Sequence, residues 1–392
     1  MNIPLIDLKA QLETIDVDAK DAILGVLSST NYILSKEVKS FEEEMKQYLG
    51  VKDAIGVANG TDALILALKA LGIKEGDEVI VPSYSFFASA EAISFVGATP
   101  VFCDVLKTSY NIDPSLIEER ITDKTKAIMV VHLFGQAVEM DAIKEVAKRH
   151  ELYIIEDAAQ AIGATYQGQR VGSLGDIACF SFFPTKNLGG AGDGGMVVTT
   201  REDLAVMVRA LRAHGSGDKG YEAYSKSHVD EVLEDETVYN SKKYYNYLIG
   251  HNSRLDEMQA ALLRVKFKKL EAWNDRRKEL ADRYREALKG LPLICSEEVV
   301  EGKHVYHMFM LVSEEREKLT AYLKEEGIAT GIYYPVPLHL QVAFKDLGYK
   351  EGNLPVSEWL SKRTFAIPVY PELTEEQQDY IIEKVREFYE GI

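Results

Sequence analysis

The sequence predicts an α/β protein, with a mostly parallel mixed sheet between helices in a large domain and a smaller C-terminal α+β domain. Between about residues 50 and 200, short apolar runs alternate with helical patterns, and most of the runs are continuously apolar. Such runs are typical of strands buried on both faces, as in parallel sheets covered by helices. The chain has 392 residues, more than one hydrophobic core normally holds, so a second domain is expected.

The large domain is expected to contain strands and helices in alternation. The predicted strands are residues 54–57, 78–81, 100–103, 127–132, 153–156, 177–183 and 195–199. The predicted helices between them are residues 61–71, 91–96, 113–120 and 140–150. In the first helix Leu64 and Leu68 share one face, and the third begins with Asp113 and Pro114, a cap followed by proline at the first helical position.

The pattern changes after Thr200. A helix is expected over residues 201–212, followed by an extended, polar, acidic and tyrosine-rich loop at 217–245. Residues 255–288 form one long amphipathic pattern, and two further helices are predicted at 322–326 and 374–389. We therefore divide the chain into a large domain of residues 1–250 and a second unit of residues 251–392, which holds the long helix and the small α+β domain.

Composition excludes several classes of protein. The formal net charge is −17, whereas non-specific binding to nucleic acid or acidic lipid needs a basic surface. The three cysteines lie far apart without a Cys/His cluster, so no metal site or disulfide framework is expected. We find no signal peptide pattern and no apolar run long enough to span a membrane. These features favour a cytoplasmic protein without nucleic-acid or membrane partners.

Lys186 and Asp157 are the candidate catalytic residues. Lys186 follows the apolar run 177–183, and Asp157 ends the apolar run 153–156. A lysine amine can form a Schiff base with the aldehyde of pyridoxal phosphate (PLP), and a carboxylate can keep its pyridine nitrogen protonated. Taken singly, Lys186 is more often a solvated loop lysine and Asp157 a strand-end turn residue, since most charged side chains are simply exposed.

Three further segments could hold such a cofactor. Gly60 and Thr61 lie between a strand and a helix, where free amides bind phosphate, although an ordinary helix cap has the same pattern. Ser181 could add a hydroxyl to the phosphate site, or be a core serine bonded to backbone. Phe86 follows a strand and could stack on a flat ring, or simply pack in the core.

The glycine-rich run at residues 189–195 matches the spacing of a dinucleotide fingerprint, GxGxxG. That fingerprint requires a helix after the glycines, whereas residues 196–200 have the pattern of a strand. The run is therefore interpreted as a turn close to the cofactor and to the subunit boundary.

Two later segments carry polar side chains of uncertain role. Asn252 and Arg254 open the long helical pattern, where they could be no more than a capped, charged helix start. Tyr334 and His339 lie in a proline-rich loop, and a lone loop histidine is more often structural than catalytic. The order of the segments decides the interpretation: a phosphate loop, an aromatic, an acid, a serine and a lysine each follow a strand of one sheet. Ligands bind at the carboxyl ends of strands in such sheets, so together these residues predict a PLP site.

The chain as a whole resembles the sugar-nucleotide aminotransferases of the DegT/DnrJ/StrS family, which are fold-type I PLP enzymes. The resemblance extends from residue 6 to the C-terminus. The segments that carry it are residues 58–64, 156–160, 181–186, 252–256 and 334–339.

The resemblance implies a role for each candidate residue. Lys186 would be the lysine that links the cofactor, Asp157 the partner of the pyridinium nitrogen and Gln160 a neighbour of the ring hydroxyl. The remaining residues are assigned as follows: Gly60, Thr61 and Ser181 to the phosphate, Phe86 to the ring face, Asn252 to the phosphate from the partner subunit of an obligatory homodimer, and Arg254, Tyr334 and His339 to the substrate.

The activity implied is transfer of an amino group from L-glutamate to a nucleotide-linked keto-sugar. Residues 250–257 and 263–266 are most similar to the members that aminate C3 of dTDP-3-keto-6-deoxyhexoses; UDP-linked 3-keto sugars and 4-keto sugars are the alternatives. A PLP sugar dehydratase is less expected, because that subgroup has histidine in place of the lysine. A non-catalytic PLP-binding regulator would usually carry a DNA-binding or signalling segment. Residues 217–245 are longer and more acidic than is typical of the family, so no substrate contact is transferred there.

Overall fold

The computed structural model of the protein describes residues 1–227, 244–298 and 301–391. At its centre lies a seven-stranded sheet. Its strands are β1 (Asp53–Val57), β2 (Glu78–Pro82), β3 (Thr99–Cys103), β4 (Thr125–Val131), β5 (Tyr153–Asp157), β8 (Ile177–Ser181) and β9 (Gly195–Thr199). Two short strands, β6 (Thr165–Tyr166) and β7 (Gln169–Arg170), form a separate hairpin.

The sheet has the order β1-β9-β8-β5-β4-β2-β3. The pairs from β3 to β8 are parallel, and β9 is antiparallel to both β8 and β1. The predicted mostly parallel mixed sheet is confirmed, and each predicted strand is present. The largest shifts of boundary are at β4, which starts at Thr125, and at β8, which ends at Ser181 rather than at residue 183.

Both faces of the sheet are buried, as the continuous apolar runs predicted. Along β5, Ile154 belongs to a core cluster with Phe41 and Met45, and Ile155 belongs to a second cluster with Leu64. Consecutive side chains of a strand point to opposite faces, so a strand that is buried on both sides has to be apolar throughout.

The helices of the first part of the chain are α1 (Leu8–Glu13), α2 (Asp16–Ser29), α3 (Lys36–Leu49), α4 (Gly60–Ala70), α5 (Ala88–Phe95), α6 (Met140–Arg149), α7 (Glu202–Leu211) and α8 (Gly217–Ser227). Helix α5 begins earlier than the predicted 91–96, which places Ser89 in it. The α-helix predicted at 113–120 was wrong: Pro114–Leu116 and Glu118–Arg120 are two 3-10 turns, although Asp113 does cap the first by accepting from the Ser115 amide. Leu133–Gly135 is a further 3-10 turn.

The segment predicted as an extended loop differs in its first part. Residues 217–227 form α8, in which Ala223 packs against Val206 and Ala210 of α7. Residues 228–243 lie outside the described residues. The long pattern at 255–288 is two helices, α9 (Glu257–Phe267) and α10 (Leu270–Ala287), which are separated at residues 268–269. The division of the chain at residue 250 stays a prediction.

The C-terminal part is the expected small α+β unit. Its antiparallel sheet consists of β10 (Ile294–Cys295), β11 (Phe309–Val312) and β12 (Thr364–Ile367). Its helices are α11 (Arg316–Glu325), α12 (Pro355–Ser361) and α13 (Glu375–Glu390), with 3-10 turns at Leu338–Leu340 and Val342–Leu347. Thr374 and Gln377 form a capping box at the start of α13, which satisfies two helix-end amides reciprocally. Over the described ranges, every helix is too short or too polar to cross a bilayer.

Candidate active site

A cavity of about 560 Å³ opens at the carboxyl ends of the parallel strands. Its wall contains Val131 at the end of β4, Asp157 at the end of β5 and Ser181 at the end of β8. Of the residues predicted for the site, those that line this one cavity are Gly60, Thr61, Phe86, Asp157, Gln160, Ser181, Lys186 and Tyr334. The strand-end argument therefore located the cavity from the sequence.

Asp157 is buried at the edge of the cavity. Its Oδ2 accepts a hydrogen bond of 2.7 Å from the Ser89 hydroxyl, and its Oδ1 accepts one of 3.2 Å from the Ala159 amide. Burial raises the pKa of the Asp157 carboxyl above its usual value, while these donors and the nearby charge of Lys186 act in the opposite direction. Two donors do not fill the acceptor capacity of a carboxylate, so Asp157 can bind a further N–H from the cavity.

Lys186 lies beyond the end of β8 and reaches into the same cavity. Burial lowers the pKa of its amine to about 8, against the opposing attraction of Asp157. A substantial fraction of the amine is therefore neutral, and hence nucleophilic, only a little above physiological pH.

The first turn of α4 approaches the end of β8 closely. Asn59 caps this helix by accepting from the Asp62 amide at 2.7 Å, and the first-turn residues Gly60 and Thr61, whose amides have no intrahelical acceptor, line the cavity. A Cβ at Gly60 would lie 2.8 Å from the Cβ of Ser181, so only glycine lets these segments meet. Amides at a helix N-terminus together with a serine hydroxyl form an anion site.

Gln160 joins the opposite wall of the cavity to the C-terminal part of the chain. Its Oε1 accepts from the Phe134 amide at 2.8 Å, and its Nε2 donates to the hydroxyl of Tyr334 at 3.0 Å. The Phe86 ring is 57% exposed and lies 6.2 Å from the ring of Tyr334. An exposed phenyl ring beside buried polar groups fits a flat aromatic ligand better than it fits the core-packing alternative.

Three predicted residues do not line this cavity. His339 is buried, with its Nδ1 2.6 Å from the Ser83 hydroxyl and its Nε2 3.1 Å from Glu358, so it joins β2 to α12. Asn252 is exposed, and its backbone pairs with Ala213 as an isolated bridge. Arg254 is half-buried and is likewise absent from the wall. A role for Asn252 and Arg254 in the site of a partner subunit stays a prediction, as does the predicted substrate contact of His339.

The sequence reading missed three polar residues of the site. Ser85 and Ser89 form a hydrogen-bonded pair at 2.9 Å that leads to Asp157, and their spacing of four residues at the start of α5 was the available signal. His307 lines the cavity from the segment before β11, and nothing in its neighbourhood marked it. The glycine run is followed by β9, as predicted, so the helix that a dinucleotide site needs is absent at this point.

The chain is similar to known proteins over nearly its whole length. A profile of the DegT/DnrJ/EryC1/StrS aminotransferase family matches residues 13–386. A pleiotropic regulatory protein of Geobacillus stearothermophilus is 45% identical, over 99% of this chain and 99% of its own length. UDP-N-acetyl-3-dehydro-alpha-D-glucosamine 3-aminotransferase of Acidithiobacillus ferrooxidans is 43% identical over 99% of this chain and 98% of its own. dTDP-3-amino-3,4,6-trideoxy-alpha-D-glucose transaminase of Streptomyces venezuelae is 42% identical over 100% and 97%.

The fold agrees as well. The crystal structure of S. venezuelae DesV in complex with a ketimine intermediate superposes with a TM-score of 0.91 at 41% identity, and covers 100% of this chain and 99% of that one. The predicted architecture, a fold-type I aminotransferase, is thereby confirmed. Sheet, cavity and sequence lead to one conclusion: the chain belongs to the DegT/DnrJ/EryC1/StrS aminotransferase family.

Proposed function

We propose that this aminotransferase uses PLP to move the amino group of L-glutamate onto a nucleotide-linked keto-sugar. The observation that carries the proposal is the joint placement of Lys186, Asp157 and the N-terminus of α4 around one cavity. A nucleophilic amine, a buried acid and an anion site are the three features that a phosphorylated pyridine aldehyde needs.

The residues of the cavity fit this cofactor. Gly60, Thr61 and Ser181 would hold its phosphate, and Phe86 would cover one face of its ring. Asp157 has acceptor capacity left for the N–H of a pyridinium nitrogen, and Gln160 faces the same space. When bound, PLP supplies an electron sink that stabilises the negative charge formed on the α-carbon of an amino acid.

The chain's own groups have distinct tasks. The amine of Lys186, once free, is the base placed to take the proton from the α-carbon of the amino donor and to return it in the second half of the reaction. Asp157 would keep a proton on the pyridine nitrogen of the bound cofactor, because an ionised carboxylate stabilises an adjacent positive charge. Apolar side chains such as Leu64, Val131 and Met308 line the same cavity, and the lower local dielectric that they create strengthens both interactions.

For the acceptor we propose a dTDP-3-keto-6-deoxyhexose, with Arg254 and Tyr334 among its contacts. The relative from S. venezuelae is named for a dTDP-3-amino sugar, and the one from A. ferrooxidans for a UDP-linked 3-keto sugar. A panel of dTDP- and UDP-linked 3-keto and 4-keto sugars, assayed with L-glutamate, separates these substrates by kcat/KM. Absence of turnover on the whole panel, in protein that binds the cofactor, would favour a regulatory role instead.

The cofactor is tested by chemical trapping. Borohydride should fix PLP onto Lys186, with mass spectrometry locating the modified residue, and Lys186→Ala should lose both the attachment and turnover. Lys266 offers a matched control, because burial lowers its pKa to about 8 as well, yet its Nζ donates to the Gly189 carbonyl at 2.8 Å outside the cavity. Modification of Lys266, or turnover by Lys186→Ala at the parent rate, would contradict the assignment.

We further propose a homodimer in the cytoplasm, in which Asn252 of the partner subunit completes the phosphate site. Inactive Lys186→Ala protein is mixed with weakened Asn252→Ala protein under conditions that exchange subunits. If sites are shared, some mixed dimers contain one site with both residues intact, and activity returns. No recovery in confirmed mixed dimers would mean that each site lies within one chain.

A further inference from the structure

A chain of buried amides connects the residue after Lys186 to His307. Asn187 Nδ2 donates to the Oδ1 of Asn274 at 2.8 Å and to the backbone carbonyl of Val305 at 2.9 Å. Asn274 Nδ2 in turn donates to the carbonyl of Ile162 at 3.0 Å. The Oδ1 of Asn187 lies 3.2 Å from the Nδ1 of His307. The three side chains are buried, so water does not substitute for these bonds.

The direction of each bond follows from the backbone. The carbonyls of Val305 and Ile162 can only accept, so the atoms that face them must be the NH₂ groups of Asn187 and Asn274. Both amides are thereby fixed at both ends. Gly163 allows this close packing, since a Cβ there would lie 2.4 Å from Asn274 Nδ2.

The proton on His307 follows in turn. The Asn187 atom that faces its Nδ1 is an oxygen, which accepts, so Nδ1 must carry the hydrogen. Burial, with the positive charges of Lys186 and Arg277, holds the pKa of His307 well below its usual value, so the ring is neutral. Nε2 is therefore a bare acceptor, and within the described residues it has no hydrogen-bond partner, although His307 lines the cavity.

The other buried histidines have the opposite tautomer. Nδ1 of His132 accepts from the Val138 amide, and Nδ1 of His304 accepts from the Tyr306 amide, so both rings carry the proton on Nε2. In His339, Nε2 faces the carboxylate of Glu358 and must donate to it. His307 is thus the exception among the four buried histidines of the described ranges.

We propose that Asn187 and Asn274 are positioning residues that lock His307 as the Nδ1–H tautomer, so that its Nε2 is available to accept a hydrogen bond from the amine of Lys186, which lines the same cavity. Lys186 and Asn187 are adjacent in the chain, so one loop carries both the amine and the residue that sets the tautomer of its proposed acceptor. A neutral acceptor steadies the amine in its charged and its free form, whereas an Nε2–H would repel the charged form. The proposal deepens the role given to Lys186 and rests on it.

The tautomer is measured directly in the full-length protein as purified. Histidine is labelled with ¹⁵N, and the His307 signals are assigned by their loss in His307→Gln. We expect a protonated-type shift for Nδ1 and an unprotonated-type shift for Nε2 in His307, and the reverse in His132, His304 and His339. In Asn187→Ala nothing holds the proton on Nδ1, and an Nε2–H population should appear. An Nε2–H form of His307 in the parent protein would by itself overturn the proposal, whatever Asn187→Ala shows.

The contact with Lys186 has a second readout. In cofactor-free, full-length protein, the rate at which PLP becomes fixable on Lys186 by borohydride should follow the free amine with pH. A hydrogen bond to the ammonium raises its pKa, so His307→Leu should lower the midpoint by about one pH unit. His307→Gln retains an acceptor oxygen and should stay near the parent value. Asp157, Asp193, Tyr333 and Tyr334 are the other titratable groups of the wall and are unchanged in these variants.

The outcomes separate the two proposals. An unchanged midpoint in His307→Leu would show that Nε2 does not meet Lys186. Failure to fix PLP on Lys186 in the parent protein would overturn the proposed function, while the ¹⁵N result would still decide the tautomer.

Discussion

The last two residues of β5 are both acids, but they differ in the number of hydrogen-bond donors and in the direction of their pKa shifts. Glu156 is fully buried and accepts from four donors: His132 Nε2 and the amides of Gly172, Leu174 and Gly175. Asp157 accepts from two donors within this structure. The pKa of Glu156 is lowered by these donors despite the opposing effect of burial, whereas burial raises the pKa of Asp157.

This difference shows how a structural buried acid can be distinguished from one that is available to a ligand. Adjacent residues of a strand face opposite sides of the sheet, so one carboxylate enters the protein interior and the other reaches the cavity. A buried charge is stable when its lone pairs are filled by donors. Glu156 has a complete set and is structural, while Asp157 keeps capacity for a donor that comes from outside the chain.

The largest expected effect comes from Glu156→Gln. The amide presents an NH₂ group to donors that need an acceptor, so at least two buried donors lose their partner. We expect the free energy of unfolding to fall by about 3 kcal/mol or more at pH 7. Urea denaturation of the cofactor-free variant measures it. A loss below about 1 kcal/mol would mean that the donor count does not explain the difference between the two acids.

Asp157→Asn should act on catalysis rather than on folding. The neutral amide no longer stabilises a positive charge on the ring nitrogen, so kcat should fall by about 10²-fold while PLP still binds through its phosphate. Steady-state kinetics and equilibrium dialysis of PLP measure the two effects. An unchanged kcat would place Asp157 with Glu156 as a structural acid.

Ser89→Ala tests the support of Asp157. The serine hydroxyl donates to Oδ2, and in the variant the carboxylate keeps one donor of the two. A charge-assisted bond of this kind contributes about 1.5 kcal/mol, so kcat should fall about tenfold. Ser85→Ala is the control, because Ser85 touches Ser89 and not Asp157, and its effect should be smaller. Equal effects of the two variants would argue against a specific role of the Ser89 bond.

The smallest expected effect is on the pH dependence of stability, which should have opposite signs for Glu156 and Asp157. Since the folded-state pKa of Glu156 is depressed, its stabilising contribution is present above the unfolded value of about 4.3 and is lost as the pH falls below it. The folded-state pKa of Asp157 is raised, so its charge disfavours folding near neutrality and that cost disappears as the carboxyl takes up a proton. In cofactor-free protein, Glu156→Gln should therefore be less destabilising at about pH 4 than at pH 7, and Asp157→Asn should be mildly stabilising at pH 7 only. Urea midpoints at the two pH values check the signs.

Much of this arrangement could be predicted from the sequence. Continuous apolar runs predicted the strands, and polar residues after their ends predicted the cavity, because parallel strands share one edge. Neither step needs long-range contacts. For this reason the sequence could predict Lys186, Asp157 and Gly60 as residues of the site, and each lies on the cavity wall.

The rest depends on tertiary contacts that have no local pattern. Ser89 serves Asp157 across 68 residues of sequence, and His307 meets Asn187 across 120. His339 is a similar case: its substrate contact, implied by the family resemblance, stays a prediction, whereas its hydrogen bonds to Ser83 and Glu358 join distant parts of the chain and have no local pattern. The different roles of Glu156 and Asp157 also cannot be predicted from the sequence. Two consecutive acids do not indicate which carboxylate has its full set of hydrogen-bond donors.

The glycine at the start of α4 has a consequence for binding. Because Gly60 has no Cβ, the start of α4 packs directly against Ser181. This packing holds the helix amides and the serine hydroxyl in position before any anion binds. A second close approach, in which a Cβ at Gly195 would lie 2.3 Å from the carbonyl oxygen of Asn59, holds the helix cap from the other side. Ordering this cradle is thus part of folding, so an anion that enters it meets preorganised donors and loses little affinity to rearrangement of the chain.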